Sequence, residues 1–265
     1  MSDFKVRLVT GICMYALIAL LYFLGPIAMS LFTIICMALA VYELSKAFKN
    51  VDVHIYVLPI FITLIIIGVV SFFESSSSEI IFLKDNLRNI LMLILFIYFI
   101  FDMSENKLKN FGASLASAIY ILFLGEFFTK YYPNSNELFV IIVLITNGCD
   151  VFAYIGGSIF GKHKLIPKIS PKKTIEGAFC GIIGAIFGGF LSFGLIYGFN
   201  TIEIFQIFYF IILGIISQFG DLFASAIKRT CGIKDYSKLL PGHGGILDRF
   251  DSLIFTAFGA MMILF

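Results

Sequence analysis

The sequence predicts an all-α protein, a polytopic membrane bundle of about nine helices with its N-terminus in the cytoplasm. Composition is the first observation behind this prediction: 60% of the 265 residues are hydrophobic and 14% are charged, with a mean hydropathy of +0.99. A soluble domain has about a quarter of its residues charged. The second observation is that apolar runs of about 15 to 25 residues alternate with short polar connectors. A helix needs about 20 such residues to cross the hydrocarbon core.

Nine apolar runs are predicted to be membrane spans. Gly25-Pro26 separates the first two runs by a tight turn. Lys5 and Arg7 before the first run also fit a signal peptide, but this run is longer than a signal core and leads directly into a second one, which favours an uncleaved helix. The predicted spans are 8–24, 27–42, 56–73, 87–101, 111–128, 138–159, 175–199, 204–227 and 247–265.

The third observation is the distribution of basic residues, which predicts the orientation. With nine spans, 15 of the 19 Lys and Arg residues fall on the side of the N-terminus. Cytoplasmic loops of membrane proteins carry this excess. We therefore expect an integral inner- or cell-membrane protein whose basic loops face the cytoplasm. These loops are 1–7, 43–55, 102–110, 160–174 and 228–246.

Several classes of protein are disfavoured by the sequence. The five cysteines are scattered without CxxC spacing and lie mostly in apolar runs, so helix packing explains them better than metal binding does. His54 and His163 have no metal-ligand spacing and are assigned no role. The sequence contains no nucleic-acid module, no soluble domain and no Walker A or GxGxxG motif. No nucleic acid is expected as a partner.

Acidic residues divide the chain into two predicted parts. Residues 1–137 have only Glu126, near a helix end, as a notable membrane acid, and are predicted to be a scaffold; residues 138–265 are predicted to be the catalytic half. A carboxylate at the centre of a bilayer costs about 2.5–3.5 kcal/mol on insertion scales. A single such residue is explained equally well as a neutralised structural acid or as part of a functional site. Five of them in one half of the chain favour a functional site. The five are Asp150, Glu176, Asp221, Asp248 and Asp251.

The depth and spacing of these acids predict a cavity that opens to the cytoplasm. Asp150 falls near the middle of its span, and Asp221 lies six residues, or ~9 Å, from the cytoplasmic end of another. Asp248 and Asp251 share one helix face as an i, i+3 pair, where two like charges need a cation nearby. Oxygen ligands without Cys or His favour magnesium, which takes one or two carboxylates and phosphate oxygens.

Phosphate would also need cations and backbone donors. Loops 160–174 and 228–246 supply lysines and Arg229, and the glycines of 242–245 let the backbone approach an anion. Asp221, Ser225 and Lys228 are spaced to share one helix face. Membrane topology and contact with lipid head groups also explain basic loops, but they do not explain why such loops flank buried acids.

Residues 225–251, SAIKRTCGIKDYSKLLPGHGGILDRFD, resemble the signature of the phosphatidate cytidylyltransferases, also called CDP-diglyceride synthases. The shared features are a Lys-Arg pair, a Lys-Asp pair, a Pro-x-His-Gly-Gly turn and Asp-Arg-x-Asp. Two further stretches are similar to the family, one around Asp150 and one at 170–177, SPKKTIEG. The resemblance covers about residues 147–265; the preceding residues match only in being helical and apolar.

The resemblance implies an integral membrane enzyme that converts CTP and phosphatidate into CDP-diacylglycerol and pyrophosphate with magnesium, and it implies a homodimer. GxxxG spacings at Gly177/Gly181, Gly184/Gly188 and Gly194/Gly198 allow close helix packing, either between protomers or within one.

Roles follow for the individual residues. Asp221 and Asp248 are predicted magnesium ligands, and Asp251 is a third catalytic acid, either as a further ligand or as the partner of a basic residue; a second cation stays open. Arg249 is either a phosphate clamp or a neutralising partner, and His243 either donates to the leaving pyrophosphate or stabilises its turn. The other predicted substrate-binding residues are Asp150, Lys172, Lys173, Ser225, Lys228, Arg229 and Lys234.

Two alternatives belong to other classes. A cation-coupled secondary transporter would use Asp150 and Asp221 near the midplane, but it predicts two matching halves that the sequence does not show. A transferase acting on a polyprenyl phosphate would use a similar set of acids and bases.

Overall fold

The architecture is described by a computed structural model for residues 3–71, 78–127 and 136–264. In that part of the chain there are nine α-helices and one two-stranded hairpin. The helices are α1 (Asp3–Leu24), α2 (Pro26–Lys49), α3 (Val57–Ser71), α4 (Ser78–Phe101), α5 (Lys107–Glu126), α6 (Asn136–Phe160), α7 (Ile175–Tyr197), α8 (Ile204–Thr230) and α9 (Leu247–Leu264). The strands, between α6 and α7, are β1 (Lys164–Ile166) and β2 (Ser170–Thr174).

Among the described residues, four helices are long and apolar enough to cross a membrane. These are α2, α6, α7 and α8, and shorter apolar helices lie within α1, α3 and α4. The predicted class, an all-α integral membrane protein, is confirmed. The count of nine spans and the cytoplasmic N-terminus stay predictions.

Two helices extend well beyond their predicted apolar runs. The second run was predicted to end at residue 42, whereas α2 continues to Lys49, and α4 begins at Ser78 rather than at residue 87. Hydropathy locates the part of a helix that suits lipid, but the backbone hydrogen bonds of a helix continue into water. As a result Glu43, which the sequence placed in a loop, lies within α2.

The basic loop 160–174 is an antiparallel hairpin rather than an irregular connector. β1 pairs with β2 so that Lys164 faces Thr174 and Ile166 faces Ser170. Thr174 also caps α7, because its Oγ1 accepts a hydrogen bond of 3.1 Å from the amide of Gly177. The strand that carries Lys172 and Lys173 therefore runs directly into a capped helix, which fixes its direction.

The chain divides into two compact units, each described here by itself. The first comprises Met1–Pro133 and Thr230–Arg249, and the second comprises Asn134–Arg229 and Phe250–Phe265. The boundary thus falls within α9. Whether the functional division lies at residue 137, as predicted, stays open to experiment.

In the first unit, a polar cluster joins the ends of α3, α4 and α5. Asp102 accepts hydrogen bonds from the Tyr56 hydroxyl at 2.7 Å, the Ser104 amide at 2.8 Å and the Asn110 side chain at 3.2 Å. These donors, led by the Ser104 amide, hold the pKa of Asp102 well below its usual range. Burial and the bond to Asp102 raise the pKa of Tyr56 above its usual value.

In the second unit, glycines bring α6 and α7 into close contact. A Cβ added at Gly184 would lie 2.6 Å from the Cβ of Phe152 and 2.8 Å from the carbonyl carbon of Gly148. One at Gly188 would lie 2.7 Å from the carbonyl carbon of Leu144. The GxxxG spacing at Gly184/Gly188 is therefore used between helices of one protomer, which answers that open question for this pair of glycines.

Candidate active site

The second unit contains a cavity of about 410 Å³ built from four elements. It is lined by residues of α6, the hairpin, α7 and α8: Asp150, Ala153, Tyr154, Gly157, Ser158, Leu165, Lys172, Lys173, Thr174, Gly177, Ala178, Gln218 and Asp221. Asp150, Lys172, Lys173 and Asp221 are all predicted site residues. The fold therefore brings together four side chains that are up to 71 positions apart in the chain.

Asp221, one of the two acids of this cavity, contacts two other side chains. Its Oδ2 lies 2.7 Å from Nζ of Lys173, and its Oδ1 accepts a hydrogen bond of 3.2 Å from the hydroxyl of Ser225. Ser225 follows one turn later on α8, as the i, i+4 spacing predicted. The ion pair joins α8 to β2, and about a quarter to a third of each side chain is accessible (26% and 31%). A lysine predicted to bind phosphate thus already neutralises the principal acid.

Further charged residues of the second unit act on the same group of acids. Asp251 has Asp221, Asp150 and the buried Lys228 as its charged neighbours. Arg229 uses its Nε to donate a hydrogen bond of 3.2 Å to the carbonyl oxygen of Ile169 in the hairpin. Arg229 therefore supports the hairpin that carries the cavity lysines, a role that the sequence did not predict.

These residues are suited to bind a hard divalent cation whose remaining ligands are phosphate oxygens. Asp221 offers carboxylate oxygens to the cavity, which is lined by neither Cys nor His. Its carboxylate is already compensated by a cation, the ammonium of Lys173. Among the described residues no three His, Cys, Asp or Glu side chains converge as a preformed metal site. A donor set of one or two carboxylates is what magnesium takes when a substrate phosphate supplies other ligands.

The signature turn belongs to the first unit, where Asp248 organises it. Its Oδ2 accepts hydrogen bonds of 2.9 Å from the amides of Tyr236 and Gly245, and the residue is only 8% exposed. Gly244 has a φ of +85°, and a Cβ there would lie 2.8 Å from this same oxygen. The predicted metal ligand Asp248 therefore also holds the turn together, and the two roles need separate tests.

Other predicted residues of the turn differ in their surroundings. Lys234 and Arg249 are exposed. The backbone amide of His243 donates to the carbonyl oxygen of Leu240 at 2.9 Å, a bond that does not depend on the side chain, so both predicted roles of the histidine stay predictions. The ring atom Nδ1 of His243 is buried without a hydrogen-bond partner among the described residues.

The sequence reasoning missed one acid of structural importance, Glu43, and assigned no specific contact to a second, Glu176. Glu43 on α2 accepts three hydrogen bonds from the signature segment. The predicted second span ended at residue 42, so Glu43 was placed in the following loop. A single acid directly after an apolar run was the only sequence feature that could have drawn attention to it. Glu176, noted only as one of five acids, accepts hydrogen bonds from the amides of Lys162 and His163. The ring of His163, which had no predicted role, lies 2.7 Å from the same carboxylate.

Known proteins similar to this chain match it over part of their length. The phosphatidate cytidylyltransferase of Thermotoga maritima is 35% identical over 154 residues, 56% of this chain and 57% of that protein. The phosphatidate cytidylyltransferase of Rickettsia bellii is 44% identical over 135 residues, 49% of this chain and 58% of that protein. The uncharacterized protein YnbB of Escherichia coli K12 is 42% identical over 144 residues, 54% of this chain and 47% of that protein.

The aligned part of the chain thus spans about half the length of the curated relatives it matches. A match to a protein family covers nearly the whole chain, residues 5–265. This chain belongs to the cytidylyltransferase family.

Proposed function

We propose that the protein is a phosphatidate cytidylyltransferase, which forms CDP-diacylglycerol and pyrophosphate from CTP and phosphatidate in phospholipid biosynthesis. Family membership and the names of two relatives support the proposal. The observation that carries it is the cavity of the second unit, where Lys172, Lys173 and Asp221 lie together. Two cations beside acidic residues in one cavity are suited to an exchange between two phosphates.

The reaction needs charge compensation more than acid–base chemistry. An oxygen of the phosphatidate phosphate attacks the α-phosphorus of CTP and forms a new P–O bond. The bond from the α-phosphorus to the bridging oxygen breaks, and pyrophosphate leaves with that electron pair. Both reactants are anions, so positioning and electrostatic stabilisation supply most of the catalysis. The attacking phosphate is already ionised near neutral pH, so no strong base is required.

Different residues of the second unit contribute to binding the phosphates, compensating charge and holding the hairpin in place. Lys172, which is exposed, and Lys173 reach the cavity from β2 and bind phosphate oxygens. Lys228, buried beside Asp251, keeps the group of acids from repelling the substrates. Arg229 holds the hairpin in place through Ile169.

Magnesium is part of the proposal, with Asp221 as its ligand in the cavity and Asp248 as a second predicted ligand. Bound magnesium supplies positive charge to phosphate oxygens and orients them. Asp251 is then a further acid of this group, with Lys228 as its neighbouring cation.

The orientation and partners are proposed on other grounds. The excess of Lys and Arg on the side of the N-terminus supports a site that faces the cytoplasm, where CTP is available. A homodimer is proposed from the family resemblance alone. Family membership favours nucleotidyl transfer over cation-coupled transport.

The test is label transfer by the purified chain in detergent with phosphatidate, magnesium and CTP. Label in the α-phosphate of CTP should appear in the lipid product, whereas label in the γ-phosphate should leave as pyrophosphate. Asp221→Asn should abolish the transfer, and Asp52→Asn, an exposed acid outside the site, should leave it unchanged. Transfer to a polyprenyl phosphate but not to phosphatidate would replace the proposal by the alternative acceptor.

A further inference from the structure

The first unit contains a buried carboxylate that the proposed mechanism does not use. Glu43 lies near the end of α2 and is 2% exposed. Burying a carboxylate is costly unless hydrogen bonds or charges compensate it. A residue with only a packing role would not need this charge, so its contacts require an explanation.

Among the described residues, the donors that bond to the Glu43 carboxylate lie in the signature segment. Oε1 of Glu43 accepts hydrogen bonds from the hydroxyl of Ser237 at 2.6 Å and from the amide of Ile246 at 2.9 Å. Oε2 accepts from the amide of Leu247 at 2.9 Å. Three donors divided between two oxygens match an ionised carboxylate, which only accepts hydrogen bonds. Glutamine, with one oxygen and one NH₂ group, cannot accept at both positions.

These contacts also place Glu43 at the beginning of α9. The amides of Ile246 and Leu247 lie at the N-terminus of that helix, where N–H groups lack partners within the helix. A negative charge is favourable there because of the helix dipole. Glu43 therefore fixes where α9 begins, although it lies about 200 residues earlier in the chain.

A second contact holds the other part of the turn. The hydroxyl of Thr10 on α1 shares its one proton between the carbonyl oxygen of Val6 at 2.9 Å and that of Pro241 at 3.1 Å. Gly245 lies so close to Glu43 that an added Cβ would be 2.7 Å from Oε2. The Pro-x-His-Gly-Gly turn is thus held by α1 and α2, and Gly245 is required because the carboxylate occupies the space of a side chain.

We propose that Glu43 is a positioning residue, which holds residues 237–247 in the conformation that the glycine turn and Asp248 need for activity. The proposal rests on the proposed function for its catalytic consequence. Its structural part, that Glu43 orders this segment, is independent of it. The N-terminal helices then contribute to the active conformation and are more than a scaffold.

The structural part is tested by hydrogen exchange on the full chain in detergent. In Glu43→Gln at least one of the two amides loses its acceptor, and exchange in peptides that cover 240–248 should rise about tenfold to a hundredfold. Peptides from α6 and α7 should be unchanged. Thr33→Val is the matched control, because Thr33 is also buried on α2 but, within the described part of the chain, its hydroxyl bonds to its own helix at the carbonyl oxygen of Met29.

The catalytic part is tested by kinetics under saturating and limiting substrate. Misplaced catalytic groups lower the rate of the bound complex. We expect kcat of Glu43→Gln to fall about ten- to a hundredfold per folded molecule, with a smaller change in KM. Glu43→Asp keeps the charge and should recover part of kcat, and Ser237→Ala, which removes one donor of three, should lose less than Glu43→Gln.

Each outcome decides one part. Unchanged exchange at 240–248 in Glu43→Gln overturns the positioning role, whatever the activity. Raised exchange with normal kcat shows that Glu43 is structural only. If the wild type makes no CDP-diacylglycerol, the proposed function is contradicted. Raised exchange in Glu43→Gln would still support the role of Glu43 in ordering the turn. If Glu43→Gln fails to fold, Ser237→Ala and Glu43→Asp provide the same comparison.

Discussion

Asp248 is the residue whose role is tested most directly by substitution. The sequence predicts that it binds magnesium, and the structure shows that it stabilises a turn. Its Oδ2 accepts from the buried amides of Tyr236 and Gly245. Asp248→Ala leaves both amides without this acceptor, at about 1–3 kcal/mol each, so we expect a loss of about 2–6 kcal/mol in the free energy of unfolding. Asp248→Asn keeps one oxygen but not the charge. Charge-assisted bonds exceed neutral ones by about 1 kcal/mol, so this variant should lose only about 1–3 kcal/mol.

The two roles separate when stability and turnover are measured on the same preparations. Thermal unfolding in detergent should rank the variants wild type, Asn, Ala. If Asp248 also binds magnesium, turnover of the Asn variant should fall about a thousandfold or more at every magnesium concentration, well beyond what its stability explains. Wild-type stability of the Ala variant would refute the role in the turn. Near-normal turnover and magnesium dependence of the Asn variant would refute the metal role.

Three further predictions concern the cavity, the helix packing and the orientation. Replacing Lys172 and Lys173 together by Gln should raise KM for CTP or phosphatidate without altering insertion, because three other lysines remain in the same loop; unchanged kinetics would reduce both to topological signals. Gly184→Ala should destabilise the protein by about 1–3 kcal/mol in thermal unfolding because its Cβ meets α6, whereas Gly112→Ala, with no atom within 4 Å, should cost nothing; equal effects would contradict the packing. In a variant without the native cysteines, Lys238→Cys should react with an impermeant thiol reagent only after the membrane is opened; reaction in intact cells would overturn the cytoplasmic site.

Prediction from the sequence succeeded where the physical signal is local. Apolar runs correspond to helices because a helix forms all of its backbone hydrogen bonds within one segment, so that no polar backbone group is left unpaired in lipid. The i, i+4 relation of Asp221 and Ser225 follows from helical periodicity, and the structure shows the hydrogen bond between them. The start of α9 at Leu247 also agrees with the predicted start of the last apolar span at residue 247.

The failures involve contacts between residues far apart in the chain. The hairpin at 164–174 was missed because a strand of three residues has no periodicity to detect. Glu43 was missed because its partners lie at 237–247, and no local pattern on α2 indicates them. The ion pair of Lys173, predicted to bind phosphate, with Asp221 on another element was not foreseen either.

The sequence alone determined that this is an all-α membrane protein, where its acids and bases lie along the helices, and which family signature it carries. These properties depend on composition and on spacings of a few residues. Only the tertiary structure decided which partner each charged side chain has. Lys173 pairs with Asp221, Arg229 bonds to the hairpin, and Glu43 accepts a hydrogen bond from an amide at the start of α9. A buried charge is stable only beside a specific partner, and folding brings that partner from a distant part of the chain.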